Sequence, residues 1–106
     1  MKIMVDIHET ICKTPGNKKE ARDYRLALPI KQNIDKINSL YEAGHEIVYW
    51  TARGSQTGID WTELTTKQLN SWGVKYSQVR LGKPHYDLFI CDKAMNSQAF
   101  FEKEVS

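Results

Sequence analysis

Short apolar runs alternate with longer amphipathic stretches along this chain. The run Lys2–Val5 stops at Asp6, and the β-branched and aromatic run Glu46–Trp50 stops at Thr51. Runs of this length between polar residues are typical of strands in a sheet core, and β-branched and aromatic residues favour strands. We therefore predict two central strands, each of which delivers a polar residue to the edge of a sheet.

After each of these strands, the chain has a segment in which apolar residues recur at the spacing of a helix. Pro29 is predicted to open a first helix and Gly44 to end it, because proline suits the first turn and glycine adopts the left-handed conformation after the last. Between them, apolar residues recur at intervals of three and four, namely Ile30, Ile34, Ile37, Leu40 and Tyr41. A second helix is predicted over residues 60–72, and Gly73 follows it.

The remaining segments are one long polar stretch and two short apolar runs. Residues 12–28 carry Pro15-Gly16 and show no sustained period, so we predict a flap beside the first strand. Residues 76–81 and 86–90 are predicted strands, and the turn Gly82-Lys83-Pro84 separates them.

A last helix is predicted to begin at Asn96 or Ser97, since either side chain can cap it. Strands separated by helices predict an α/β fold with a mostly parallel sheet and helices on both faces. The carboxyl ends of parallel strands meet at one edge of the sheet. We therefore expect Asp6, Thr51 and Asp92 to converge at that edge.

Composition restricts the class of protein. A chain of 106 residues suits one domain, predicted to span residues 1–106, without room for a separate lid domain. Its 41% hydrophobic and 26% charged residues are those of a soluble globular protein, and a net charge of +2 predicts no nucleic-acid partner. No run suits a membrane span or a signal peptide, so we expect no membrane partner and a cytoplasmic location. Cys12 and Cys91 form no close-spaced metal or redox pair.

Four polar residues follow the predicted strands in order: Asp6, Thr51, Lys83 and Asp92. One carboxylate can attack phosphorus, the second can hold Mg²⁺, and a hydroxyl and an ammonium can neutralise the non-bridging oxygens. Each signal is weak alone, and Lys83 could also be an exposed turn residue. Together they predict a site for phosphoryl transfer.

The chain resembles the haloacid dehalogenase superfamily of phosphatases, most closely its small capless members of capsule-polysaccharide biosynthesis. The resemblance covers nearly the whole length, through the segments VDIHETI, IVYWTARG and GKPHYDLFICDKAMN. It implies a three-layer Rossmann-like α/β fold without a cap domain. It also implies a Mg²⁺-dependent phosphomonoester hydrolase that forms an aspartyl-phosphate and acts on a small metabolite, such as a sugar or polyol phosphate of surface-polysaccharide biosynthesis.

The resemblance implies a role for each matching position. Asp6 is the nucleophile. The transferring phosphoryl group is bound by Thr51, the backbone amide of Ala52, and Lys83. The metal ion is bound by Asp6, Asp92 and the backbone carbonyl of His8.

Three positions depart from the family pattern: His8, Glu9 and Cys91. The family has an acid where this chain has His8, and that acid protonates the leaving oxygen and then activates water. A histidine can do both near neutral pH, can mark a site that binds phosphate without turnover, or can be a packed neutral residue with no role. The nitrogen and sulfur donors also leave open a zinc or iron site. The alternative function is a non-hydrolytic module for phospholigand binding or assembly.

A capless site must obtain its selectivity from segments beside it. We expect this from the flap, from Arg53 as the predicted substrate contact, or from a second subunit in a homo-oligomer. The expected ligand is a small-molecule phosphomonoester.

Overall fold

A parallel three-stranded sheet is central to the computed structural model, which describes residues 1–14, 24–53, 60–84 and 86–102. In chain order, the strands are β1 (Lys2–Val5), β2 (Cys12–Lys13), β3 (Leu28–Pro29), β4 (Glu46–Trp50) and β5 (Gln78–Arg80). The helices are α1 (Lys31–Glu42), α2 (Thr62–Ser71) and α3 (Ser97–Glu102), with a 3-10 turn at Tyr24–Leu26. The sheet has the order β1-β4-β5, and β2 pairs with β3 in a separate antiparallel ribbon.

The middle strand, β4, fixes the alignment of its two neighbours. Val5 of β1 lies opposite Tyr49, and Arg80 of β5 lies opposite Trp50. Because all three strands run in the same direction, their carboxyl ends lie side by side at one edge of the sheet. This edge is where the sequence predicts the functional residues.

The predicted Rossmann-like α/β class is confirmed, since parallel neighbours in the sheet are joined through helices. The strands predicted over residues 2–5 and 46–50 have those bounds. The strand predicted over residues 76–81 is shorter and covers Gln78–Arg80.

The hydrophobic core lies on the face of β4 that carries Ile47 and Tyr49. Side chains alternate between the two faces of a strand, so these two residues point to the same side. They join one buried cluster with Ile34 and Ile37 of α1 and Leu69 of α2, and Phe100 and Phe101 of α3 pack against it. Helices from the middle and the end of the chain therefore share a single core.

Both predicted glycine stops are confirmed by backbone geometry. Gly44 has a φ of 98° and Gly73 a φ of 73°, a region that residues with a Cβ rarely adopt. The two helix ends are also tied together, because Asn38 of α1 donates to the carbonyl of Gly73 (2.9 Å) and accepts from the N–H of Lys75 (2.9 Å). These hydrogen bonds hold α1 beside the end of α2.

The observed starts of the helices agree less closely with those predicted from the sequence. Pro29 belongs to β3 instead of opening α1, because the N–H of Ile30 donates to the carbonyl of Ile11 (2.8 Å) and keeps the chain extended up to that point. The predicted cap of the last helix is confirmed. The Asn96 side chain accepts from the N–H groups of Gln98 (3.0 Å) and Ala99 (3.3 Å).

The ends of the predicted flap, residues 12–28, form the antiparallel ribbon. Cys12 pairs with Pro29, and Lys13 pairs with Leu28. Residues 15–23 lie outside the described residues. The described base of the flap is therefore attached to the body of the protein.

Residues 86–90 form no strand, so the prediction of a fourth strand there is wrong. Ile90 is 87% exposed. Local contacts hold the start of this segment instead: Lys83 Nζ lies 5.3 Å from the ring centroid of Tyr86, whose ring is 5.6 Å from that of Phe89. The main sheet of the described residues accordingly has three strands.

The described helices are short. The longest, α1, has 12 residues, whereas a bilayer requires about 20 apolar residues in a spanning helix. Within the described ranges, no helix is long and apolar enough to cross a membrane.

The difference between core and exposed isoleucines predicts a difference in stability. Ile34→Ala is expected to lower the free energy of unfolding by about 2–5 kcal/mol, because Ile34 is fully buried and its truncation leaves a cavity. The matched change Ile90→Ala removes the same atoms from an exposed position and is expected to cost less than about 0.5 kcal/mol. Urea unfolding measures both. Equal losses would show that residues 86–90 are buried in the protein.

Candidate functional site

Asp6 and Lys83 form an ion pair at the carboxyl edge of the sheet. Asp6 is the first residue after β1, and its Oδ1 accepts a hydrogen bond from the N–H of Ile7 (2.8 Å). Its other oxygen, Oδ2, lies 3.3 Å from Lys83 Nζ. The Lys83 side chain is 15% exposed and that of Asp6 is 43% exposed, so the ammonium is largely covered while the carboxylate faces solvent. This pair combines a nucleophile and a cation in one place.

Thr51 connects the end of β4 to the Lys83 loop. Its N–H donates to the carbonyl of Arg80 (3.0 Å), and its own carbonyl accepts from the N–H of Lys83 (3.1 Å). Its hydroxyl accepts from the N–H of Arg53 (3.1 Å), and the residue is fully buried. Thr51 therefore positions the backbone of Lys83, while its hydroxyl accepts one hydrogen bond within the turn and keeps its own O–H to donate. Its predicted role in binding phosphate stays a prediction.

An open cleft of about 240 Å³ surrounds the ion pair. Its lining residues are Asp6, Ala52, Lys83, Pro84 and Tyr86. A volume of this size accommodates a phosphate group and part of an attached molecule. The structure therefore brings together three of the predicted site residues: Asp6, Ala52 and Lys83.

Arg53 does not face this cleft. It is 3% exposed, and its Nη1 donates to Thr65 Oγ1 (2.9 Å) and Gln68 Oε1 (2.7 Å) of α2. Its Nε donates to His8 Nε2 (2.9 Å). This position contradicts the prediction that Arg53 contacts the substrate. The physical reason is that two segments, the loop after β1 and helix α2, offer three acceptors to the guanidinium inside the protein.

The His8 imidazole packs into the same interior network. Its Nδ1 lies 3.2 Å from Thr14 Oγ1 and 3.9 Å from Cys12 Sγ. Its ring is 4.6 Å from that of Tyr24, which also lies 4.9 Å from the guanidinium carbon of Arg53. Of the three interpretations of His8, this geometry favours a packed, hydrogen-bonded neutral histidine.

Burial governs the chemistry of the groups around this network. Desolvation raises the pKa of the Cys12 thiol to about 11, against a smaller lowering effect from nearby Arg53. Desolvation also lowers the pKa of Arg53. At neutral pH the thiol is therefore protonated and unsuited to nucleophilic attack.

Asp92 is not among the residues that line the cleft. It is exposed, and its Oδ1 accepts a weak hydrogen bond from Cys91 Sγ (3.8 Å). The carbonyl of His8 accepts from Thr10 Oγ1 (3.4 Å). In the described part of the chain, no three His, Cys, Asp or Glu side chains group closely enough to hold a metal ion. Side chains of the described residues therefore form no group of the kind that the zinc or iron alternative requires. The implied Mg²⁺ site needs only the Asp6 and Asp92 carboxylates with the His8 carbonyl, and it stays a prediction.

Several residues of the interior network carry no functional signal in the sequence: Thr14, Tyr24, Thr65 and Gln68. Thr65 and Gln68 of α2 are a partial exception. They lie three positions apart on the helix face that carries buried Leu69, so the sequence places two polar residues on a core face. Polar residues on a core face need a buried partner. That pattern points to a buried polar network, although it does not identify Arg53 as the partner.

Comparison with known proteins supports the fold. No family model matches this chain, and no curated protein matches it. Among solved structures, the crystal structure of an MCSG target from Vibrio cholerae is similar, with a TM-score of 0.80 and 27% sequence identity. The similarity covers 98% of this chain and 89% of that chain. The fold is thus shared over nearly the full length of both. The description of that protein names no activity, and a shared fold does not determine function.

The two cysteines are expected to differ in reactivity. Cys91 is exposed and Cys12 is fully buried with a raised pKa, so alkylation of the native protein is expected to label one thiol per chain. In denaturant, both thiols should react. Mass spectrometry of the labelled protein measures this difference, with Cys91→Ser as the control that leaves the native protein unlabelled. Rapid native labelling of Cys12 would contradict the packing described around His8.

Proposed function

We propose that this protein is a phosphomonoester hydrolase that acts on a small metabolite through an aspartyl-phosphate at Asp6. The observation that carries the proposal is the pair of Asp6 Oδ2 and Lys83 Nζ, 3.3 Å apart, in an open cleft at the carboxyl edge of a parallel sheet. Ligands of open α/β sheets bind at that edge. The sequence resemblance to the haloacid dehalogenase superfamily supports the same assignment, and membership of that superfamily is part of the proposal.

The arrangement of the cleft suggests how the residues would divide the chemistry. The N–H of Ile7 orients the Asp6 carboxylate through Oδ1, which leaves Oδ2 for attack on phosphorus. Lys83 is adjacent to the attacking oxygen and can neutralise charge on the non-bridging oxygens of the transferring group. Attack forms the bond from aspartyl oxygen to phosphorus and breaks the bond to the leaving oxygen. Water then hydrolyses the aspartyl-phosphate and releases inorganic phosphate.

Dependence on Mg²⁺ is inferred from the resemblance alone. The cleft supplies one carboxylate, and the Lys83 ammonium pairs with it. The proposed attack and hydrolysis accordingly use only groups of the chain and water. Activity assays with added Mg²⁺ and with chelator determine whether a metal ion contributes.

A cytoplasmic location is part of the same proposal. Cys12 and Cys91 are both free thiols, which is typical of proteins in a reducing compartment. The proposed partner is a small phosphorylated molecule. Sedimentation of the purified protein tests whether the chain also forms the predicted homo-oligomer.

Phosphate release from p-nitrophenyl phosphate tests the function. Asp6→Asn is expected to lower kcat at least about 10³-fold, because the amide is not a nucleophile while its size and its contact with Ile7 are retained. Lys83→Ala is expected to lower kcat/KM about 10²–10³-fold through loss of charge stabilisation. Lys67→Ala, at an exposed position of α2, is the control and should retain activity.

Circular dichroism confirms that each variant is folded before activities are compared. If the unmodified protein releases no more phosphate than Asp6→Asn does, the hydrolase proposal is refuted. A phospholigand-binding module is the second candidate, and the engagement of His8 with Arg53 is the observation that favours it. That function predicts phosphate binding by calorimetry without turnover, and weaker binding by Lys83→Ala.

A further inference from the structure

The hydrogen bond from Arg53 determines which nitrogen of His8 carries a proton. The Nε–H of a guanidinium can only donate, so His8 Nε2, at 2.9 Å, must accept. The proton of the neutral ring therefore lies on Nδ1, where Thr14 Oγ1 accepts it at 3.2 Å. A proton on Nε2 would set two N–H groups against each other. His8 is thus held as the neutral Nδ1–H tautomer.

The guanidinium that imposes this tautomer is itself held from several sides. Its Nη1 donates to both Thr65 and Gln68, and Gln68 Nε2 donates in turn to the carbonyl of Tyr24 (2.6 Å). The Tyr24 ring contacts both the guanidinium and the imidazole. Reorienting His8 would require several buried hydrogen bonds to break together, each of which is costly to leave unmade.

The cleft offers few other groups for proton transfer. Its described polar side chains are the Asp6 carboxylate, the Lys83 ammonium paired with it, and the Tyr86 phenol. No imidazole or second carboxyl group lies among the described residues that line it. Asp6 is the nucleophile of the proposed reaction, so it does not serve as the acid. An ammonium and a phenol are ordinarily weaker acids than an imidazolium or a carboxyl group, so neither Lys83 nor Tyr86 replaces the acid that His8 would supply.

We propose that Arg53 is a positioning residue that withholds His8 from proton transfer, and that the site consequently acts on phosphate monoesters of acidic hydroxyl groups, namely aryl and enol phosphates. This inference rests on the proposed hydrolase function and narrows its substrate class. It places phosphates of sugar and polyol hydroxyls among the poor substrates.

The chemistry of the leaving group is the reason. When Asp6 bonds to phosphorus, the leaving oxygen takes the electron pair of the broken bond. A phenolate or enolate is stable enough to leave in that form and obtains its proton from water afterwards. An alkoxide is not, so its departure requires a proton in the transition state, and a missing general acid costs on the order of 10²–10⁴-fold in rate.

A leaving-group series measures this directly. The kcat/KM for phosphate release is compared for p-nitrophenyl phosphate, phenyl phosphate and glycerol 3-phosphate, with Asp6→Asn as the blank. We expect kcat/KM to fall steeply in that order, with the alkyl ester on the order of 10²–10⁴-fold below the most acidic aryl ester. Similar values for all three would overturn the inference and leave the hydrolase intact. No release above the blank for any ester would refute the hydrolase itself.

The tautomer supplies a readout that does not depend on turnover. Nitrogen-15 NMR of the labelled protein is expected to show His8 with a protonated Nδ1 and an unprotonated Nε2. A protonated Nε2 in the folded protein would overturn the positioning role of Arg53. In Arg53→Met, the imidazole loses this constraint, so we expect a mixture of tautomers and a shallower dependence on the leaving group. An unchanged tautomer in the folded variant would also count against the proposal, and Arg80→Met is the exposed control.

Discussion

Thr51 supplies the hydrogen bonds on which the rest of the site depends. Its backbone N–H and carbonyl contact β5 and the Lys83 loop, and its hydroxyl begins the turn into Arg53. Because β4 lies between β1 and β5, a residue at its end can join elements that are far apart in the chain. Lys83 reaches Asp6 through this junction, and Arg53 is directed into the interior by it.

Two separate groups of polar side chains therefore lie near the end of β4. One faces solvent and contains the Asp6–Lys83 pair, whose charges suit an anionic ligand. The other is buried, and the described hydrogen-bond partners of Arg53 in it are neutral: His8, Thr65 and Gln68. Burying a guanidinium is costly, and its Nη2 has no hydrogen-bond partner among the described residues. A costly buried cation beside a candidate active site is consistent with a positioning role for Arg53.

Local signals explain which residues could be predicted. Asp6 and Lys83 were identifiable because each stands next to a strand or turn whose pattern is readable, and parallel strands converge at one edge. The orientation of Arg53 could not be predicted in this way. It depends on acceptors in the loop after β1 and in α2, and these two segments are far from each other in the sequence. The missing strand at residues 86–90 has a similar cause. An apolar run favours a strand, but whether it pairs depends on contacts such as that between Lys83 and Tyr86.

The amino-acid sequence by itself determined the α/β class, the strands β1 and β4, the glycines that end two helices, and the acid and lysine of the cleft. These features follow from short-range periodicity and from backbone preferences of single residues. Only the tertiary structure decided that His8 and Arg53 bond to each other, that Thr51 is buried at the end of β4, and that Arg53 lies against α2. Those outcomes depend on hydrogen bonds between segments distant in the chain, and such pairings have no local pattern.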